Sequence, residues 1–176
     1  MRTVDLFRHT DNDGDALTPE GVQAAEKVAR EQLSPPYNAF VSTGAARATH
    51  MVQILRRAAN QEDVPILEEV GLRSSVEGRW RDAAKAAGQD ADLEAIRDRD
   101  ADLVDHESAL LGQALKRLFD RLPDGGRALV VGHSPTNEAA ILGLTGSVVA
   151  PLAKGDGVRV TENNGRYTVG EVVGLG

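Results

Sequence analysis

The chain contains no cysteine. Disulfides and thiolate metal sites are therefore excluded. Aromatic residues make up only 3% of the sequence, so the core must be built from Val, Leu, Ile and Ala. No segment is long and apolar enough to span a bilayer. The opening residues Met1-Arg2-Thr3-Val4-Asp5-Leu6 lack the layout of a signal peptide, and the expectation is a cytoplasmic protein. A formal net charge of −7 makes the chain a poor general partner for nucleic acid or an anionic membrane. Any site for an anionic substrate must then be a local positive pocket on a negative body.

With 176 residues, 41% of them apolar and 27% charged, the sequence fits a single globular domain spanning 1–176. No internal repeat or low-complexity tract interrupts it. Strand and helix signals alternate, which predicts an α/β fold with a mainly parallel sheet. Thr3 to Phe7 is β-prone. Thr18-Pro19-Glu20 combines a capping hydroxyl, a first-turn proline and an acid near the positive helix end. Val22, Ala25, Ala29 and Leu33 then share a helical face, and Ser34-Pro35-Pro36 ends the helix. Ala39 to Ser42 reads as a second strand and Ile66-Leu67 as a short third. Residues 73–103, charged and alanine-rich, are expected as helical excursions on the surface. Leu111, Leu115, Leu118 and Phe119 form a buried helical stripe, and Ala128 to Val131 is a central strand. A helix is expected from near Pro135 to Leu144. Asn163-Asn164-Gly165 marks a hairpin between Val158–Val160 and Tyr167–Val169.

Two strands end alike, in Arg8-His9 and in Gly132-His133. Ligands of open α/β sheets bind at the carboxyl ends of the strands. Parallel strands put both histidines on one rim, with Arg47 in the first turn of the helix after the second strand. Arg8, His9, Arg47 and His133 together suit a phosphoryl group. Each taken alone has a plainer explanation as a cap or a solvated residue. Arg47 also sits at the unfavourable positive end of a helix dipole, a misfit that a bound anion would repair. His50 and His106 lie within helical stretches and are read as structural.

Other chemistries fit less well. Asp11-Asn12-Asp13-Gly14-Asp15 is not an EF-hand loop, because Ala16 and Val22 stand where glycine and glutamate are required. Gly132-His133-Ser134-Pro135-Thr136 lacks the last glycine of a serine-hydrolase elbow. A zinc site using both histidines conflicts with the adjacent arginines, which would repel a cation.

At this point the residues resemble the histidine phosphatase (phosphoglycerate mutase-like) superfamily. Phe7-Arg8-His9 looks like its Arg-His-Gly signature, and Leu17-Thr18-Pro19-Glu20-Gly21 like its Leu-Thr-x-x-Gly helix start. Val41 to Thr49 is similar to its Ser-Ser-Pro-x-x-Arg-Ala-x-x-Thr segment, and Val130-Val131-Gly132-His133 to its Val-x-Gly-His. Leu152-Ala153-Lys154-Gly155 more loosely resembles the small phosphohistidine-phosphatase branch. The resemblance implies a three-layer α/β/α fold and phosphomonoester or phosphohistidine hydrolysis through a phosphohistidine at His9. It implies no cofactor and no metal. Arg8, Arg47 and His133 would hold the phosphoryl oxygens. Glu69, in the pattern Leu-x-Glu, would protonate the leaving oxygen, with Glu68 and Glu77 as alternatives. The substrate would be a small phosphorylated metabolite or a phosphoprotein. Mutase-type transfer and a non-catalytic phosphate-binding role are the alternatives; the modest excursion between Arg73 and Asp105 favours hydrolysis. Thr10 replaces the usual glycine and would alter pocket width, and Gly44 replaces a proline.

Overall fold

The computed structural model describes residues 1–172. Its first strand, β1 (Arg2–Arg8), is followed by a small hairpin of β2 (Asn12–Asp13) and β3 (Ala16–Leu17). Next come α1 (Pro19–Gln32), β4 (Ala39–Ser42), α2 (Ala46–Ala58) and β5 (Ile66–Glu68). A single 3₁₀ turn (Val70–Leu72) leads to α3 (Glu77–Ala87), α4 (Leu93–Arg99) and α5 (Ala101–Arg121). The chain returns through β6 (Arg127–Gly132), α6 (Thr136–Thr145), β7 (Gly157–Asn163) and β8 (Arg166–Glu171).

The main sheet has the order β5-β4-β6-β1-β7-β8. β5, β4, β6 and β1 run parallel, and β7 is antiparallel to both β1 and β8. Alternating side chains feed the two faces. Val4, Leu6, Val41, Ala128 and Val130 pack with α3 to α6, whereas Phe7, Phe40, Leu129 and Val131 pack with α1 and α2. These layers make the three-layer α/β/α architecture. The expected hairpin is β7–β8, turning through Asn164 and Gly165, both at positive φ as a tight two-residue turn requires.

Residues 73–103 depart from expectation. Trp80, Ala83, Leu93 and Ile96 are buried in the core rather than lying on the surface. Helices this short show little periodicity, so their inward residues are hard to read from sequence. Their anchor is Glu107 on α5, whose buried carboxylate accepts from Ser74 Oγ and from Trp80 Nε1. The inward face of α1 is also rotated: Gly21, Ala25 and Val28 point in, while Val22 and Ala29 are only partly buried.

That rotation has a local cause. Gly21 packs against the backbone that carries the loop after His9, and a Cβ there would lie 2.0 Å from the Asp11 carbonyl oxygen. Thr10 Oγ1 donates to the Gly21 carbonyl at 2.7 Å, and Thr18 caps the helix by accepting from Gly21 N–H at 3.0 Å. We expect Gly21→Ala to destabilise the fold by about 1–3 kcal/mol through overpacking. Equilibrium denaturation checks this, and unchanged stability would show that the loop can retreat without cost.

Candidate active site

The register of the parallel strands assembles the rim. Arg8 pairs with Gly132, and Ser42 with both Val131 and Glu68, so all four strands end at one level. Beyond that level His9 N–H donates to the Gly132 carbonyl at 3.1 Å. Asn137, in the first turn of α6, ties the two histidine-bearing ends together. Its Oδ1 accepts from His133 N–H at 3.2 Å, and its Nδ2 donates to the Phe7 carbonyl at 3.0 Å. Both bonds are buried.

The result is a pocket of about 600 Å³ whose lining includes Arg8, His9, Arg47, Glu77, His133 and Lys154. The His9 and His133 rings meet edge to face with centroids 5.3 Å apart. His9 Nδ1 lies 2.8 Å from the Thr10 carbonyl oxygen. A carbonyl only accepts, so Nδ1 carries the proton and the lone pair of the neutral ring sits on Nε2. His133 is fixed in the same way: Arg47 Nη2 donates to its Nδ1 at 3.4 Å, and its Nε2 lies 2.8 Å from Thr43 Oγ1.

Both imidazoles are held neutral. Burial lowers the pKa of His9 below its ordinary value of 6.5, with Arg47, Arg8 and Lys154 adding to the effect and the bond to Thr10 opposing it. Burial, then Arg47, takes His133 down to about 3.

Arg47 is engaged as well. Asp15, from the β2–β3 hairpin, accepts from Arg47 Nη1 at 3.0 Å. Ala45 provides no side-chain cap for α2, and Asp15 supplies the missing negative charge at that helix end. Gly44, ahead of it, has φ +95°, which proline cannot adopt, so the turn differs in shape from one built on proline.

Of the predicted site residues, Arg8, His9, Arg47 and His133 are brought together, and Glu69 is not. Glu69 Oε1 accepts from Gly71 N–H at 3.1 Å and from Arg117 at 3.2 Å, with Arg121 at 3.9 Å from Oε2. It caps the 3₁₀ turn and pairs with α5. Glu77 lines the pocket instead, 2.8 Å from Arg73 Nε. The exposed Glu68 is not among the lining residues. Thr10 points into the protein towards Gly21 and does not narrow the pocket. Arg81 lines the rim, whereas Arg79 is paired with Asp100 elsewhere. His50 lines a separate hollow between α1 and α2, and His106 is exposed. Among the described residues, no group of three or more His, Asp or Glu could hold a metal ion.

Neither a family model nor a curated protein matches the sequence. Solved structures do. A phosphoglycerate mutase from Bacillus anthracis superposes with a TM-score of 0.74 at 18% identity, over 97% of this chain and 92% of that one. The fold is phosphoglycerate mutase-like. A mycobacterial glucosyl-3-phosphoglycerate phosphatase, solved with VO3, shares this fold with a TM-score of 0.71 at 16% identity, over 99% and 100% of the two chains. The protein histidine phosphatase SixA, solved with tungstate, gives 0.59 at 15% identity, over 96% and 94%.

In an NMR titration of the imidazoles, His9 is expected to have its midpoint below 6.5 and His133 at about 3. A His9 midpoint at or above 6.5 would contradict the assigned electrostatics.

Proposed function

We propose that the chain is a histidine phosphatase that hydrolyses a phosphomonoester or phosphohistidine through a covalent phosphohistidine at His9. The observation that carries this reading is the His9 Nδ1 bond to the Thr10 carbonyl, which leaves Nε2 as the nucleophilic lone pair in a pocket flanked by Arg8 and Arg47. Nε2 attacks phosphorus and the bond to the leaving oxygen breaks. Arg8, Arg47 and His133 hold the oxygens on which charge accumulates. An entering dianion offsets the positive charges that, together with burial, keep His133 neutral. His133 then takes up a proton from solvent at Nδ1 as Arg47 turns from it to the phosphoryl group. Glu77 protonates the leaving oxygen and afterwards takes a proton from the water that cleaves the phosphohistidine.

Hydrolysis is favoured over mutase-type transfer by the pocket itself. Transfer requires water to be kept from the phosphoenzyme. Here the pocket is bordered by the exposed Arg81 and Lys154, which leave room for water and for a polar or anionic remainder of the substrate. Four cations against the single acid Glu77 make the lining positive on a chain of net charge −7. That positive lining suits an anionic substrate and repels a cation, so no metal enters the mechanism. A small phosphorylated metabolite or a phosphoprotein as substrate, and a cytoplasmic setting, belong to the same proposal. No described helix is long and apolar enough to cross a membrane.

Two assays test this reading. With EDTA present, wild type should hydrolyse an aryl phosphate and yield an acid-labile phosphoenzyme. His9→Ala should do neither, and Arg47→Lys should lose about two to three orders of magnitude in kcat. Equal activity of wild type and His9→Ala would remove His9 as the nucleophile. In the second assay, Glu77→Gln should slow poor leaving groups more than good ones, by up to about 10²–10⁴-fold. Glu69→Gln should leave that dependence unchanged. The opposite pattern would return the proton-donor role to Glu69.

A further inference from the structure

One acid beside the pocket has no part in the mechanism above. Glu138, in the first turn of α6, is 3% exposed. Its Oε2 accepts from Ser134 Oγ, and Ser134 lines the pocket with His9 and His133. Its Oε1 is buried and makes no hydrogen bond of normal geometry among the described residues, although the Glu138 and Leu152 backbone N–H groups lie near enough to favour the charged form. The charged group facing it is Arg8 on β1; the other acid acting on Arg8 is Asp156, just before β7. A buried carboxylate with one oxygen so weakly paired is costly unless it protonates.

Resting on the phosphatase reading, we propose that Glu138 is a positioning residue for the phosphoryl site. Its carboxyl group sets whether the Ser134 hydroxyl is donated inward or to the bound anion, and how much of the Arg8 charge that anion meets. When Glu138 is ionised, it accepts the Ser134 proton, so Ser134 turns lone pairs to the pocket while the carboxylate offsets Arg8. When it is neutral, Glu138 donates to Ser134 Oγ. The Ser134 hydroxyl hydrogen is then released towards a phosphoryl oxygen, and Arg8 acts at full charge. No proton is lost from the pair in this reversal; it is taken up from solvent by Glu138. Burial raises the Glu138 pKa to about 7, with Ser134, the Glu138 and Leu152 backbone and Arg8 opposing the rise only in part. The two arrangements are therefore both accessible near neutral pH. A raised pKa means that the neutral, anion-binding arrangement prevails below about 7 and is lost as pH rises through it.

Sulfate is a suitable probe, because its charge does not change between about pH 6 and pH 8. We expect calorimetry to show sulfate bound about fivefold more weakly by the wild type at the higher pH, the part of a tenfold linkage that falls between these two pH values when anion binding raises the Glu138 pKa by about one unit. Glu138→Gln, uncharged throughout, should bind at the acid-form strength at both values. Any contribution from protonation of His9 or His133 persists in this variant, so the difference between the two proteins isolates the carboxyl group. Ser134→Ala keeps the carboxylate and removes the donor. It should lose affinity at the lower pH and show a smaller pH step. A pH step in Glu138→Gln equal to that of wild type, or undiminished affinity in Ser134→Ala at the lower pH, would overturn the proposal alone. Wild type that binds no sulfate at either pH would overturn the phosphate-site reading with it.

Discussion

The site depends on one amide side chain. Asn137 bonds the His133 N–H with its oxygen and the Phe7 carbonyl with its nitrogen, and so joins the ends of β6 and β1 beyond their last ladder bond. Each histidine follows such an end. A shift of either strand would unpair two buried backbone groups, at about 1–3 kcal/mol each. The separation of the two imidazoles is thereby set by the sheet rather than by a loop. A residue larger than glycine at position 132 would push the Asn137 amide out of this bridge, because a Cβ there would lie 2.3 Å from Asn137 Oδ1.

Around this frame the electrostatics run opposite to the chain as a whole. An acidic protein brings four cations to one rim, and burial together with those cations keeps both rings uncharged. Neutral imidazoles among fixed positive charges suit the binding of a group that carries negative oxygens, and on the proposed reading they suit His9 to attack it. The backbone supplies the tautomer: Thr10 contributes only its carbonyl to His9, while its side chain secures the loop to α1. The residue that departs from the expected glycine thus serves the frame and leaves the pocket untouched.

Much of this was legible because parallel strands convert sequence order into position. Arg8-His9 and Gly132-His133 each follow an apolar run, and two such runs side by side must present their ends together. Arg47 was legible as a cation at the wrong end of a helix. The acid was not. Glu68 ends a three-residue strand and Glu69 follows it, one exposed and one buried, and Arg117, far along the chain, captures Glu69. Glu77 reaches the pocket only because Glu107 anchors Ser74 and Trp80 on either side of it, contacts that no local pattern records. Asn137 and Glu138 read as ordinary polar residues in a helix first turn. The signal that could have exposed them is the apolar run Ala139-Ala140-Ile141 directly after, since a helix start that is buried with its polar groups must pair them internally.

The contact between Arg47 and Asp15 has a further consequence. The guanidinium is not bare at rest, so an arriving phosphoryl group would exchange with a carboxylate instead of filling an empty cradle. Part of the attraction is spent on that exchange, and the departing inorganic phosphate would find its replacement already tethered on the β2–β3 hairpin. A site this rich in cations would otherwise hold a bound anion tightly. On the proposed phosphatase reading, the hairpin's acid would act as a built-in competitor and favour release over tight retention.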